Sequence, residues 1–494
     1  MKDVTLFWQS YRLFPYEKVL GRREVEALLQ PIEIVEDRGS LTAKGCRRPE
    51  LAEDLVYFSA YAIDGVTAYT RQYEREGTTS KKQNTRYFSH GIHEYKGKFN
   101  PQIVRAIMNI CQCNRGVQII DPFCGSGTSL LEAELQGIRA YGVDVNPMAT
   151  FIANIKTHAI FSREKIIQFD IDKFADEVKH SAENIVLSDD ARTNYLRKWF
   201  RQDYLPYIEA WKREAENQED KTLRGLLLLA LSNILREYSE QEPSDLRIRR
   251  RNTPYPTIPM EEAAQNSFLK SQSCINQFLA KVDAESLHEP QIINRNIKDI
   301  QADMLPKFDL AVTSPPYATA LPYIDTQRLS IVWLGLDIPG NIRGLECSLI
   351  GSRELMSKGE RDKLFSCMSH NTDNLSSTTI SLCKELQMAL TPADGFRKQY
   401  TPLLLYKYFA EMAQMFENVY RLLREGGYYC LVVGYNKTTI GGYKIIDTPR
   451  LLAEEAKAKG FLLQEIIPLE TYQRYGLHAQ QAITSEALII LRTA

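Results

Sequence analysis

The chain has 494 residues, 44% of them hydrophobic and 25% charged, with a net charge of −1. This composition excludes a disordered or fibrous chain, and near-neutrality excludes a globally polycationic nucleic-acid binder, so any such binding must rest on local patches. The apolar run Leu226 to Ser232 is too short to cross a bilayer, the N-terminus lacks a signal layout, and nine scattered cysteines read as reduced thiols, which together predict a cytoplasmic, membrane-free protein of two or three domains.

Residues 1–80 alternate strand-like and helical patterns, "VTLFW", "PYEKVLGRREVEALLQ", "IEIV" and "LVYFSAYAI", and predict a small N-terminal α/β unit. Residues 81–99 mix Lys81, Lys82, Arg86, Lys96 and Lys98 with Tyr87, Phe88, Tyr95 and Phe99, a basic and aromatic loop suited either to solvent or to nucleic acid. A helix follows in "NPQIVRAIMNIC", with Asn100 as its N-cap and Pro101 in its first position. "GVQIIDPFCGSGTSLLEAELQGIRAYGVDVNP" then reads as strand, glycine loop, helix and strand, a βαβ unit that implies a parallel sheet. Cys111 and Cys113 lack a second pair at ligand spacing, so they read as packed thiols and no metal site is expected.

Gly125 and Gly127 let the backbone turn tightly beside a ligand, and the helix behind them presents free N–H groups. The lysine of a phosphate-binding P-loop is missing, and Leu130 stands where a dinucleotide fingerprint has its third glycine. Asp144, at the end of the next strand, is placed to accept hydrogen bonds from ribose hydroxyls. Loop and acid together fit a nucleoside-bearing cofactor without requiring a pyrophosphate, although a nicotinamide oxidoreductase competes at this point.

Residues 156–290 read as a largely helical insertion, interrupted by "EPSDLRIRRRNTPYPTIP" with its arginines Arg247, Arg249, Arg250 and Arg251. Those arginines are candidates for nucleic-acid phosphates or for pairing with the acidic stretch before them. The α/β pattern resumes over 291–494 with "FDLAVTSPPY", a long helix "TPLLLYKYFAEMAQMFENVYRLLREGG" whose glycine pair suits a C-cap, and the strands "YYCLVVGYN", "FLLQEIIPL" and "EALIILR"; residues 335–390 read as an irregular insertion. Ser314, Pro315, Pro316 and Tyr317 fall at the carboxyl end of a strand, where open parallel sheets place their ligands. A hydroxyl, two rigidly directed carbonyls without competing N–H groups, and a flat ring suit a planar heterocycle with an exocyclic NH₂. Hydrogen bonds accepted from that NH₂ free its lone pair for attack on a methyl group.

"DPFCGSGT" followed by "TSPPY" resembles the S-adenosylmethionine-dependent amino-methyltransferases of DNA. The resemblance covers residues 86–150 and 293–335 well and the last strands loosely. It implies a Rossmann-like sheet, mostly parallel with an antiparallel last strand, and S-adenosyl-L-methionine as cofactor. Asp121, Phe123, Gly125, Gly127 and Thr128 match the donor motif; Lys98, Phe99 and Pro101 match the segment beside the donor's methionine end; Asp299, preferred over Asp303, matches the acid near its adenine. Ser314 to Tyr317 match the catalytic tetrapeptide, and a serine in its first position resembles the cytosine-N4 branch more than the adenine-N6 branch. The order of motifs implies target recognition within the helical insertion, with residues 1–80 or 335–390 as alternatives. The implied substrate is duplex DNA with the target base flipped out and Tyr317 stacked on it; Tyr323, Asp325 and Arg328 lie close enough in sequence to shape the pocket. A cognate restriction endonuclease or a defence-system subunit is the implied partner. An RNA guanine-N2 methyltransferase and a DNA-binding defence subunit without turnover are the rival readings.

Overall fold

The computed structural model describes residues 1–37, 39–77, 83–95, 97–113, 116–245, 247–279, 287–318, 323–354, 358–470 and 485–494. Lys81, Lys82 and Lys96 of the basic loop lie outside the described residues. The N-terminal unit comprises β1 (Lys2–Trp8), α1 (Pro15–Leu29), β2 (Glu33–Glu36), β3 (Ser40–Cys46), β4 (Phe58–Ile63) and β5 (Val66–Tyr69). Its strands form an antiparallel sheet in the order β2-β3-β1-β4-β5. Alternation along β1 buries Val4 and Leu6 against Val25, Leu28 and Leu29 of α1. The other side of α1 packs Tyr16 and Leu20 on Ile103 and Ile107, so the unit is fused to the central body of the protein. There the Asn109 amide donates to the buried Glu24 carboxyl (2.6 Å).

Next come α2 (Arg71–Glu76), α3 (Pro101–Ile110), β6 (Gln118–Asp121), α4 (Thr128–Glu134), β7 (Arg139–Asp144) and α5 (Pro147–His158). Asn100 caps α3 as its sequence predicts, its side chain accepting from the N–H groups of Gln102 and Ile103. The insertion is helical: α6 (Arg163–Gln168), α7 (Ile171–Glu183), α8 (Ala191–Arg197), α9 (Leu205–Glu216), α10 (Lys221–Leu235) and α11 (Met260–Leu279). Its core runs into Met148, Ile152 and Ile155 of α5, and Gly225 brings α10 so near α5 that a Cβ there would stand 2.0 Å from Ile155 Cδ1.

The chain returns with β8 (Gln291–Asn294), β9 (Phe308–Thr313), α12 (Tyr323–Leu334), α13 (Ile342–Ser348), α14 (Lys358–His370), α15 (Ser377–Met388) and α16 (Phe396–Leu422). It finishes with β10 (Leu423–Gly434), β11 (Asn436–Thr438), β12 (Lys444–Ile446), α17 (Thr448–Ala458), β13 (Leu462–Glu470) and β14 (Ser485–Arg492). The main sheet has the order β13-β14-β10-β9-β6-β7-β8. Strands β8, β7, β6, β9 and β10 are parallel, and β14 runs antiparallel to β10 and β13. This is the mostly parallel, Rossmann-like sheet with an antiparallel last strand that the resemblance implies.

Two expectations change. Residues 335–390 are not irregular: α13, α14 and α15 occupy much of the stretch, and Cys383 and Leu386 of α15 are buried against α16. The glycine pair Gly426–Gly427 does not cap a helix, because α16 ends at Leu422 and the pair lies inside β10. There the register against β9 shifts between Leu423 and Tyr428, and Gly426 takes φ +71°. Among the described residues, no helix is long and apolar enough to cross a membrane, and no cluster of metal-binding side chains occurs.

Candidate active site

The loop after β6 is shaped by its glycines. Gly125 and Gly127 both adopt left-handed φ (+50° and +73°), and a Cβ on Gly127 would lie 2.9 Å from that of Ala153. The buried Asp121 fastens this loop to its neighbours. Its carboxylate accepts from the Phe123 N–H (3.0 Å), the Ser129 hydroxyl and the Thr313 hydroxyl (2.6 Å). Thr313 is the last residue of β9 and precedes Ser314, so one acid joins the glycine loop to the Ser-Pro-Pro-Tyr turn. Burial pushes the Asp121 carboxyl up to about 6, against the pull of those three bonds. Asp144, ending β7, accepts from the backbone N–H of Gly125 (2.9 Å) and of Asn146 (2.8 Å), and burial pushes it up to about 6 as well.

The two distant motifs meet. A cleft of about 70 Å³ is lined by Gly125, Phe123 and Asp144 from the donor side and by Ser314 and Pro316 from the other. Tyr95, Gly97, Asn146, Asn296 and Tyr323 complete its polar and aromatic wall. Through Tyr323, Leu349 and Ile350 the cleft adjoins a cavity of about 860 Å³. The Thr128 hydroxyl at the start of α4 is buried without a partner among the described residues. A carboxylate, amide side chains, aromatic rings, glycine backbone and an unpaired hydroxyl form a donor and acceptor set that fits a nucleoside carrying a polar tail.

Several candidates sit elsewhere than their sequence position implies. Lys98 lies beneath the loop, its ammonium donating to the carbonyls of Thr85 (2.7 Å) and His90 (3.1 Å), and burial lowers it to about 8. Phe99 packs on the apolar layer behind the sheet and Pro101 starts α3, while Tyr95 and Gly97 of the same stretch reach the cleft. Asp299 is exposed in a separate cavity beside Asn418 and Arg421. Strand β8 ends at Asn294, so Arg295, Asn296 and Ile297 face the cleft and the chain has turned toward α16 by Asp299.

Pro315 is buried, and Tyr317 is turned toward β14. Its hydroxyl donates to Glu486 (2.5 Å), and its ring lies so close to Gly434 that a Cβ there would come within 2.9 Å of it. The aromatic rings on the cleft wall are Tyr95, Phe123 and Tyr323, and a Cβ on Gly97 would stand 3.1 Å from the Tyr323 ring. Asp325 lines the larger cavity and pairs with Arg328 (2.9 Å).

Of the four arginines in "RIRRR", Arg247 lines the larger cavity. Arg249 faces Asp245 (3.5 Å); Arg250 donates to the Lys198 carbonyl (2.9 Å) and covers Trp199; Arg251 donates to the Ser239 carbonyl (2.7 Å) and covers Tyr255. Arg250 and Arg251 therefore brace the insertion's own loop. The aromatics of the basic loop also serve packing, since Tyr87 is buried and donates to the buried Glu132 (2.6 Å). Asn296, Leu349 and Ile350 had no sequence signal, because only strand order places them beside the glycine loop.

Residues 91–193 match the family described as UPF0020, RMKL-like, methyltransferase domain. By that match and by the order of its sheet, the chain is similar to the S-adenosyl-L-methionine-dependent methyltransferases, whose cofactor is S-adenosyl-L-methionine. Among curated proteins it is 26% identical to the type II methyltransferase M.MvaI of Kocuria varians, over 52% of this chain and 59% of that protein. It is 22% identical to the type II methyltransferase M.AvaI of Nostoc sp., over 79% of this chain and 83% of the relative. A shorter likeness, 40% over 52 residues, joins it to the tRNA (guanine(10)-N2)-dimethyltransferase of Methanothermobacter thermautotrophicus, covering 10% of this chain and 16% of that one. The match to M.MvaI thus spans little more than half of that relative's length.

Proposed function

We propose that this protein methylates an exocyclic amino group of a flipped-out base in DNA, with cytosine N4 as the favoured position. The observation that carries the reading is the single cleft lined by Gly125 and Asp144 on one side and by Ser314 and Pro316 on the other. S-adenosyl-L-methionine, when bound, supplies an electrophilic methyl group. Asp144 keeps lone pairs beyond those used by Gly125 and Asn146, and these hold ribose hydroxyls. Phe123, Tyr95 and Ile297 supply flat and apolar walls.

On the other side, the Ser314 hydroxyl and the proline carbonyls accept hydrogen bonds from the substrate NH₂. This localises the lone pair on nitrogen in a site already oriented to receive it. The nitrogen would take the methyl group as the donor's carbon–sulfur bond breaks, the bonding pair staying on sulfur in the departing thioether, and would release one proton through Ser314 or water. Extruding the base costs a few kcal/mol, which contacts outside the cleft must offset. Serine at the head of the tetrapeptide supports the N4 position, and the type II relatives support DNA. A cytoplasmic enzyme paired with a cognate restriction endonuclease is consistent with the same reading.

The short likeness to tRNA guanine-N2 dimethyltransferases favours a second reading, in RNA. One experiment separates them: labelled methyl donor is incubated with unmethylated duplex DNA or with bulk tRNA, and the digested nucleosides are resolved. N4-methyldeoxycytidine is the expected product. N6-methyldeoxyadenosine would change the target nitrogen, and label confined to tRNA would overturn the DNA reading.

A further inference from the structure

The larger cavity, about 860 Å³, adjoins the reaction cleft through Tyr323, Leu349 and Ile350. Its lining carries seven cationic side chains, including Arg247, Arg353 and Arg397, against four acids, Asp325, Glu346, Glu354 and Asp362. The three arginines come from three separate segments: Arg247 from the loop between α10 and α11, Arg353 from the link between α13 and α14, and Arg397 from the first turn of α16. All three are exposed. All three line the one cavity, and burial together with the charges of Arg247 and Arg397 lowers the proton affinity of Arg353. Two of the acids are already engaged, Asp325 with Arg328 (2.9 Å) and Glu354 with Arg343 (3.9 Å).

Three guanidiniums lining one cavity repel one another. Such convergence is stabilised by a polyanion, and guanidinium groups are suited to phosphate through bidentate hydrogen bonds. An aromatic pair borders the same space: Phe396 is 76% exposed, its ring centre lies 4.6 Å from that of Tyr400, and Arg361 covers Tyr400 at 5.1 Å. An exposed aromatic ring flanked by arginines is a platform for an unpaired base. Tyr323, Leu349 and Ile350 line both spaces, so a nucleotide held in the large one lies at the mouth of the small one.

We infer that this cavity is the passage for the target DNA strand, with Arg247, Arg353 and Arg397 holding phosphates beside the extruded nucleotide and the Phe396–Tyr400 pair stacking a neighbouring base. The inference rests on the proposed activity toward DNA. It moves target binding from the body of the helical insertion to the α13–α16 segment, with Arg247 as the insertion's contribution.

The test measures binding of a plasmid-derived duplex fragment over a range of salt, with donor affinity measured in parallel. In an Arg353→Ala/Arg397→Ala double variant, the slope of log K against log salt is expected to fall by about two, near one per phosphate contact, with donor affinity unchanged. The Arg353→Lys/Arg397→Lys variant should recover most of the slope, which separates lost charge from lost fold. Phe396→Ala should weaken binding at least about fivefold at constant salt slope. If the unsubstituted protein binds DNA and the alanine variants keep its affinity and slope, the passage lies elsewhere and the methyltransferase reading survives. If the unsubstituted protein neither binds nor methylates DNA, or its arginines prove to hold tRNA instead, both are overturned.

Discussion

The two sides of the reaction cleft handle charge in opposite ways. On the donor side, Asp121 and Asp144 are buried at strand ends and accept from backbone N–H groups or from the hydroxyls of Ser129 and Thr313. On the target side, exposed arginines converge from a loop, a link and a helix terminus. A buried, satisfied carboxylate cannot move without stranding its partners, so it fixes geometry. Exposed cations on flexible stems fix little, but they attract a polyanion from a distance and adapt to its path. Substitutions on the donor side should therefore disturb rate and fold, and those on the target side should change affinity and its dependence on salt.

The largest effect belongs where the sides meet. Ser314→Ala removes the hydroxyl proposed to accept from the amino group and should lower turnover about 10²- to 10³-fold, by analogy with losing one preorganised hydrogen-bonding group, while donor affinity is unchanged. Retained turnover in that variant would remove Ser314 from the chemistry. Next in size is Asp121→Ala, which strips an acceptor from Phe123, Ser129 and Thr313 together. A loss of about 3 kcal/mol in chemical denaturation is expected, because buried donors are left unpaired. Asp121→Asn, which retains one acceptor oxygen, should lose less. A neutral Asp121→Ala would break the contrast between a rigid donor side and an adaptable target side.

Gly434→Ala sharpens the comparison from the remaining edge. The added methyl would press on a Tyr317 ring held at its far end by Glu486. The ring and the turn carrying Ser314 must shift, and a displacement of a few tenths of an ångström should lower kcat about tenfold with little change in donor affinity. Glu486→Ala would release the ring and should partly restore rate in the Gly434→Ala background. A rate insensitive to both changes would show that Tyr317 and its turn are not held by this contact.

The donor side was legible in the sequence because its signals are local. Left-handed glycines between a strand and a helix, an acid at the end of the next strand, and two prolines at the end of a third each report their own backbone. What could not be read depends on registration between distant segments. Asp299 and Asn296 stand three positions apart in one loop, and only the point where β8 stops decides which faces the cleft. Arg250 and Arg251 look like a phosphate patch until the carbonyls of Lys198 and Ser239 are brought beside them. The α13–α15 segment looked irregular because "KGERDKLFSCMSH" carries little apolar periodicity. The Gly426–Gly427 pair serves a strand irregularity, which resembles a helix end when neighbouring strands are unknown.

The smallest expected effects are in pH dependence, and they too divide by side. Burial raises the donor-side acids Asp121 and Asp144 to about 6, from a value near 3.8 in the unfolded chain. Between those values the folded state holds protons that the unfolded state has released, so stability from these groups is complete below about 4 and is lost as pH rises through 6. Denaturation midpoints should therefore climb as pH falls from 7 toward 5, and Asp144→Asn should reduce the climb. On the target side, burial together with Asp325 and Glu354 raises Glu346 to about 7. Its ionisation above that pH places a negative charge on the wall that faces phosphate. DNA affinity should then weaken a few-fold between pH 6 and 8, and Glu346→Gln should flatten that change; because its raised proton affinity is also linked to folding, the substitution should in addition flatten the fall of stability between about pH 5 and 7. If Glu346→Gln shifts stability and leaves binding untouched, this acid belongs with the rigid donor-side network and the division of labour fails at that residue.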